Sequence, residues 1–99
     1  MRIEIERAAC EFVLGLPLKS RRVILRHLRT LEALDTLTGA SGIERLGGDR
    51  DVDVRGDIYR MHVSRTYTLI FRICPVQSRI RVVEILPIDL AHKRYFRYR

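Results

Sequence analysis

Arg60 and His62 stand two residues apart in Asp57–Val63, a stretch of alternating character, so both side chains leave the same side of one strand. A basic surface with aromatic residues near the end of the chain suits polyphosphate, with side chains that can hold phosphate oxygens, stack on bases or move protons. His62 carries the group whose unperturbed pKa lies nearest neutrality, which fits proton transfer. Arg60 can clamp a phosphate but cannot serve as a base, because a guanidinium keeps its proton throughout the range in which proteins work. Arg72, on the next stretch, has the same facing as Thr68 and offers a second cation about 13 Å further along an extended strand. Near the end come Lys93, a further phosphate donor, and Tyr95, Phe96 and Tyr98. The two tyrosines have a phenolic proton to give, whereas Phe96 can only stack on a base. Against this stands the plainer reading of solvated residues on a half-exposed sheet and a charged tail without fixed structure.

A second basic feature is more general. Lys19, Arg22, Arg26 and Arg29 recur on one side of a helical stretch, and Arg94 and Arg97 extend the charge into the tail. Such a row is either a track for a nucleic-acid backbone or the solvated side of an amphipathic helix. The formal charge of +7 weights the first reading, and every basic residue except Lys19 and Lys93 is arginine, whose planar fork suits phosphate oxygens. RNA or DNA is the expected partner class. No apolar run approaches the roughly 20 residues of a spanning helix, and no charged-then-apolar leader opens the chain, so a soluble, cytoplasmic protein without membrane contact is expected.

Cys10 and Cys74 form neither a disulfide framework nor a metal clip, and His27, His62 and His92 lack ligand spacing. Asp49, Asp51 and Asp53 lack the later glycine and terminal glutamate of a calcium loop. No metal and no cofactor are expected.

Ninety-nine residues allow one domain, spanning 1–99. Ile3 and Ile5 alternate with Arg2, Glu4 and Glu6, the pattern of a short opening strand. Residues 8–14 have helical spacing and meet Gly15 and Pro17, which stop one helix and start another. Ile24, Leu28, Leu31 and Leu34 then predict a long amphipathic helix to about Leu37, forming an antiparallel hairpin with the first. Glycines and aspartates make residues 38–56 a predicted loop. Residues 57–63, 67–73 and 79–86 predict an antiparallel meander, in which Tyr59, Met61, Val63, Leu69 and Phe71 share the buried face. In the third strand Val83 and Ile85 compete with Val82 and Leu86 for that face, so its register stays open. The fold class is α+β: an N-terminal strand and an antiparallel helix hairpin packed on one face of a small, mainly antiparallel four-stranded sheet, with a basic C-terminal tail. The other face, with Arg60, His62 and Arg72, is expected to be open.

This order of elements resembles the RelE/ParE superfamily of small toxins from toxin–antitoxin pairs, across essentially the whole chain. The local marks are Phe12-Val13-Leu14-Gly15-Leu16-Pro17, Leu46-Gly47-Gly48, Asp57-Ile58-Tyr59-Arg60-Met61-His62-Val63, Tyr67-Thr68-Leu69-Ile70-Phe71 and His92-Lys93-Arg94. The resemblance implies a cognate antitoxin as partner and one of two activities. RelE-like members cleave messenger RNA on the ribosome; ParE-like members share the fold without the catalytic set and bind DNA gyrase. In the nuclease branch Arg60 and His62 match the two basic positions after the loop, and Arg60, His62, Arg72, Lys93 and Tyr95 become the catalytic candidates. Thr68 departs from the pattern, since nuclease members carry arginine directly after the strand's first tyrosine. Its predicted facing, away from Tyr67, Leu69 and Phe71, would let it accept an arginine.

Overall fold

Alternating side chains build most of the observed fold. The computed structural model describes residues 1–34, 42–48, 57–74 and 77–95. Its elements are β1 (Arg2–Ile5), α1 (Arg7–Leu14), α2 (Leu18–Glu32), β2 (Ile43–Gly48), β3 (Asp57–Val63), β4 (Tyr67–Cys74), β5 (Arg79–Pro87) and α3 (Ile88–Arg94). The sheet runs β1-β5-β4-β3-β2, with β1 parallel to β5 and every other pair antiparallel.

The sheet therefore has five strands rather than the expected four, because β2 lies within the predicted loop. Ile43 and Arg45 pair with Met61 and Tyr59, after which the register slips and Gly47 pairs with Ile58. Leu46 is the extra residue of a β-bulge, so the alternation that marks a strand is interrupted after four residues. Asp49, Asp51 and Asp53 lie outside the described residues. A second bulge settles the open register of β5. Phe71 pairs with Val82 and Ile70 with Glu84, leaving Val83 over, and Ile80, Val82 and Ile85 all reach the core.

One face of the sheet holds that core. Met61, Val63, Leu69, Phe71, Ile73 and the β5 residues pack under Ala9 and Val13 of α1 and Ile24, Leu28 and Leu31 of α2. Pro17 sets the extended entrance to α2, whose first turn needs no N–H from proline. The helix stops at Glu32 instead of about Leu37: the Ala33 N–H still returns to Arg29, and Leu34 bonds three residues back to Leu31 in a tightened last turn. Residues 35–37 are outside the described chain.

The opposite face is not open along its whole length, as the sequence suggested. Pro87 ends β5, the Ile88 N–H binds the carbonyl of Thr66, and α3 folds back across this face. Asp89 in its first turn and His92, Lys93 and Arg94 in its last match the helix dipole. Ala91 and Tyr95 then close a second, smaller core over Ile58 and Ile70, bordered by Leu46 and Leu86. The basic tail is a helix at least as far as Arg94.

Leu31 is fully buried, whereas Leu25 on the same helix is 46% exposed. Leu31→Ala should cost about 2–5 kcal/mol through lost burial and a residual cavity, and Leu25→Ala about 0.5 kcal/mol or less. Urea unfolding midpoints of the two variants measure the difference, and equal midpoints would contradict this placement of α2.

Candidate functional site

The α3-covered face gathers polar groups from three strands and one helix. Arg60 and His62 are neighbours on β3, with Glu44 opposite Arg60 on β2 and Thr68 opposite His62 on β4. Tyr95 comes in from above at the end of α3, 5% exposed. The Arg60 guanidinium joins them. Its Nη1 donates to Tyr95 Oη at 3.1 Å and to His62 Nε2 at 3.2 Å, while Nη2 forms an ion pair with Glu44 Oε2. The guanidinium carbon lies 4.9 Å from the centre of the Tyr95 ring, so contact with the π face adds to the hydrogen bonds.

These contacts fix the state of His62. A guanidinium has only donors, so Nε2 must present its lone pair to Arg60, and the ring proton resides on Nδ1. Nδ1 in turn lies 2.8 Å from Thr68 Oγ1, which accepts that proton's hydrogen bond. His62 is therefore held neutral in one tautomer. Its pKa is pushed below the ordinary imidazole value by partial burial, by the Arg60 charge and by His92, with Glu44 acting in the opposite direction. Glu44 is held below the usual carboxylate range by the hydrogen bond and charge of Arg60. For Arg60, burial disfavours the charge, but the bonds to Tyr95 and Glu44 outweigh it and its pKa is raised.

His92 completes the cluster. Its ring is nearly parallel to that of His62 with centres 6.2 Å apart, and 5.2 Å from that of Tyr95. Two imidazoles thus lie face to face, the first anchored to Arg60 and Thr68 and neutral, the second exposed on α3. Such a pair can supply a proton acceptor and a proton donor to one bound phosphodiester.

Of the sequence candidates, the structure brings together Arg60, His62 and Tyr95. Arg72 lies on the same face, but in the row of Ile58 and Arg81, with Ile70 between it and Thr68. Lys93 is exposed on α3, while Arg94 is tied to Glu84 by an ion pair of 3.0 Å and is only half-exposed. Lys19, Arg22, Arg26 and Arg29 are all exposed along α2, but α2 packs on the other face, so the sheet separates this row from Arg60. Phe96, Arg97 and Tyr98 lie outside the described residues.

Sequence reasoning gave no role to Glu44 and His92 and misjudged Thr68. Glu44 was lost with the strand that carries it. His92 had a visible signal, a histidine one turn before a tyrosine in the tail, but only α3 sets it against His62. Thr68 is 0% exposed, which corrects the expectation that it faces solvent and would tolerate arginine. It accepts a hydrogen bond from the His62 ring, and Thr68→Arg would force a guanidinium into a fully buried position. Among the described residues, no three His, Cys, Asp or Glu side chains are grouped to hold a metal ion, and no helix is long and apolar enough to cross a membrane.

The pKa directions lead to a measurable outcome. In NMR titrations His62 should titrate below about 6.5, and its midpoint should fall further in Glu44→Gln and rise in His92→Gln. The folded protein holds this proton more weakly than the unfolded chain does. His62 thus contributes stability that is present above about pH 6.5 and lost as pH falls through its folded midpoint. A midpoint above that of an unperturbed imidazole would overturn the assigned tautomer.

No protein-family profile and no curated protein sequence matches the chain. Solved structures do. RelE in the archaeal RelE–RelB complex from Pyrococcus horikoshii OT3 is similar with a TM-score of 0.69 at 20% identity, over 87% of this chain and 92% of that one. The isolated E. coli RelE toxin is similar with a TM-score of 0.57 at 16% identity, over 94% and 96%. Strand order, helix hairpin and terminal helix thus form, at low sequence identity, the fold of a RelE-like toxin.

Proposed function

We propose that this chain is the toxin of a toxin–antitoxin pair and acts as a ribosome-dependent messenger RNA endonuclease. The observation that carries this reading is the neutral, Thr68-anchored His62 held against Arg60, with His92 and Tyr95 beside them. The resemblance to RelE-like nucleases supplies the target.

The cluster suggests an order of events. An incoming scissile phosphate competes with Glu44, and with Tyr95 and His62, for the Arg60 guanidinium. Once Arg60 turns to the phosphate, the lone pair of His62 Nε2 is released and takes the 2′-hydroxyl proton. The oxygen so freed attacks phosphorus, and the bond to the 5′-oxygen breaks. His92, in its protonated form, returns a proton to that leaving oxygen. Arg60 stabilises the charge that develops on the phosphorane, which is where a preorganised cation counts most. Tyr95 holds Arg60 by ring contact and hydrogen bond, and so acts as a positioning residue. Thr68 does the same for His62, so the absence of an arginine at this position removes one cation without removing the base. Lys93 is exposed next to His92 in the chain and is suited to a neighbouring phosphate.

The remaining partners follow from charge and likeness. A cognate antitoxin with an acidic segment would complement the +7 charge. The similar archaeal RelE was solved as a complex with RelB. The arginines of α2, behind the sheet, are placed for a second surface such as that of the ribosome rather than for the cleaved strand.

Primer extension on ribosome-bound messenger tests this reading. The parent should cut; Arg60→Ala should lose about 10²–10³-fold and His62→Gln about 10²–10⁴-fold in cleavage rate while remaining folded. If the folded parent leaves ribosome-bound messenger intact, or His62→Gln cuts as well as the parent, the nuclease reading fails. A DNA supercoiling defect in the same preparation would then select the gyrase branch.

A further inference from the structure

The sheet carries a second concentration of positive charge on the face of Arg60, beyond the part that Ala91 and Tyr95 cover. Strand pairing sets Arg2 directly opposite Arg79 and Arg81 directly opposite Arg72. All four share one facing, since their neighbours Ile3, Phe71, Ile73, Ile80 and Val82 turn to the main core. Like charges directly opposite one another in a sheet are destabilising, and here two such pairs occupy adjacent rows. Glu4, directly opposite Arg81, bonds Arg79 at 3.2 Å, and Glu6 bonds Arg81 at 3.1 Å. Arg79 Nε is, among the described residues, the buried side-chain polar atom without a hydrogen-bond partner. Arg2 is exposed and the Arg81 side chain is 50% exposed, so a ligand can reach the patch.

We infer that Arg2, Arg72, Arg79 and Arg81 form a binding site for the phosphate backbone of the RNA strand that passes through the Arg60–His62 cluster. An anion laid across the arginine pairs relieves their mutual repulsion, and planar guanidiniums match phosphate oxygens with two parallel hydrogen bonds. Continuity favours RNA over an acidic protein segment. Ile70 pairs with Arg60, and Arg72 lies two residues beyond Ile70, which puts its backbone about 8 Å from that of Arg60 on the same face. A strand whose scissile phosphate sits at Arg60 would bring its neighbouring phosphates over Arg72 and Arg81. This inference deepens the nuclease reading and rests on it for the identity of the ligand.

The test uses the full chain and a 2′-O-methyl RNA oligonucleotide of about ten nucleotides, which cannot be cleaved, with affinity measured against salt concentration. Arg2→Gln combined with Arg81→Gln should weaken binding by 10-fold or more. It should also flatten the slope of log K against log salt by roughly 1.4, the loss of two phosphate contacts to a single strand. Arg2→Lys with Arg81→Lys, which keeps the charge, should retain most of the slope and serves as the folded control. Arg22→Gln with Arg26→Gln on α2 removes the same charge from behind the sheet and should change the slope far less. An unchanged slope in the Arg2/Arg81 variant, or an equal loss in the α2 variant, overturns the site. So does a variant that keeps RNA affinity but loses binding to poly-glutamate, since the patch would then belong to an acidic protein. A parent that binds RNA through the patch yet cuts nothing on the ribosome would sink the nuclease reading and leave the site standing.

Discussion

The Arg60 guanidinium is the contact on which the second face of the protein depends. It is a buried-edge cation, with its side chain 20% exposed, and three of its N–H groups meet acceptors on Tyr95, His62 and Glu44. Tyr95 can bury its ring against Ile58 and Ile70 because its hydroxyl finds Arg60. That burial is in turn what draws the end of α3 down onto the sheet. Remove the guanidinium, and a tyrosine hydroxyl, a carboxylate and an imidazole lose their shared partner together. The same group thus closes a small core and holds the Tyr95, Glu44 and His62 side chains together.

Two β-bulges do work that regular strands could not. Along the edge strand alternation sends Ile43 to the large core and Glu44 and Leu46 to the face of Arg60, and the bulge at Leu46 lets Gly47 join Leu46 on that side, opposite Ile58. The one at Val83 shifts β5 by a residue, letting both Val82 and Ile85 reach the main core and putting Glu84 opposite Ile70, where it meets Arg94. The bulge at Val83 thereby redirects Ile85, which strict alternation from Val82 would have sent to the other face. The faces therefore stay distinct, one apolar under the helix hairpin and one polar under α3. The arginines of β1, β4 and β5 extend the polar face beyond the helix.

Much of this was legible in the chain. Alternation determined the meander and the shared facing of Arg60 and His62, and leucine spacing determined the helix hairpin, because both periodicities are local consequences of backbone geometry. The excess of arginine was equally plain. β2 was not legible, since its six residues end in Gly47-Gly48 and a bulge breaks their period. Nor could the environment of Thr68 be read: its facing was right, but a face is exposed only if nothing folds back over it, and a seven-residue helix after Pro87 does so. The site was brought together by contacts between residues far apart in sequence, Arg60 with Tyr95 and His62 with His92, and those depend on where the chain returns rather than on any local pattern. The sequence by itself determined the charge, the opening strand, the helix hairpin and the meander; only the tertiary structure decided that β2 joins the sheet, that α3 folds back over it and that His62 is a neutral imidazole with a fixed tautomer, because these follow from which groups the returning chain brings together.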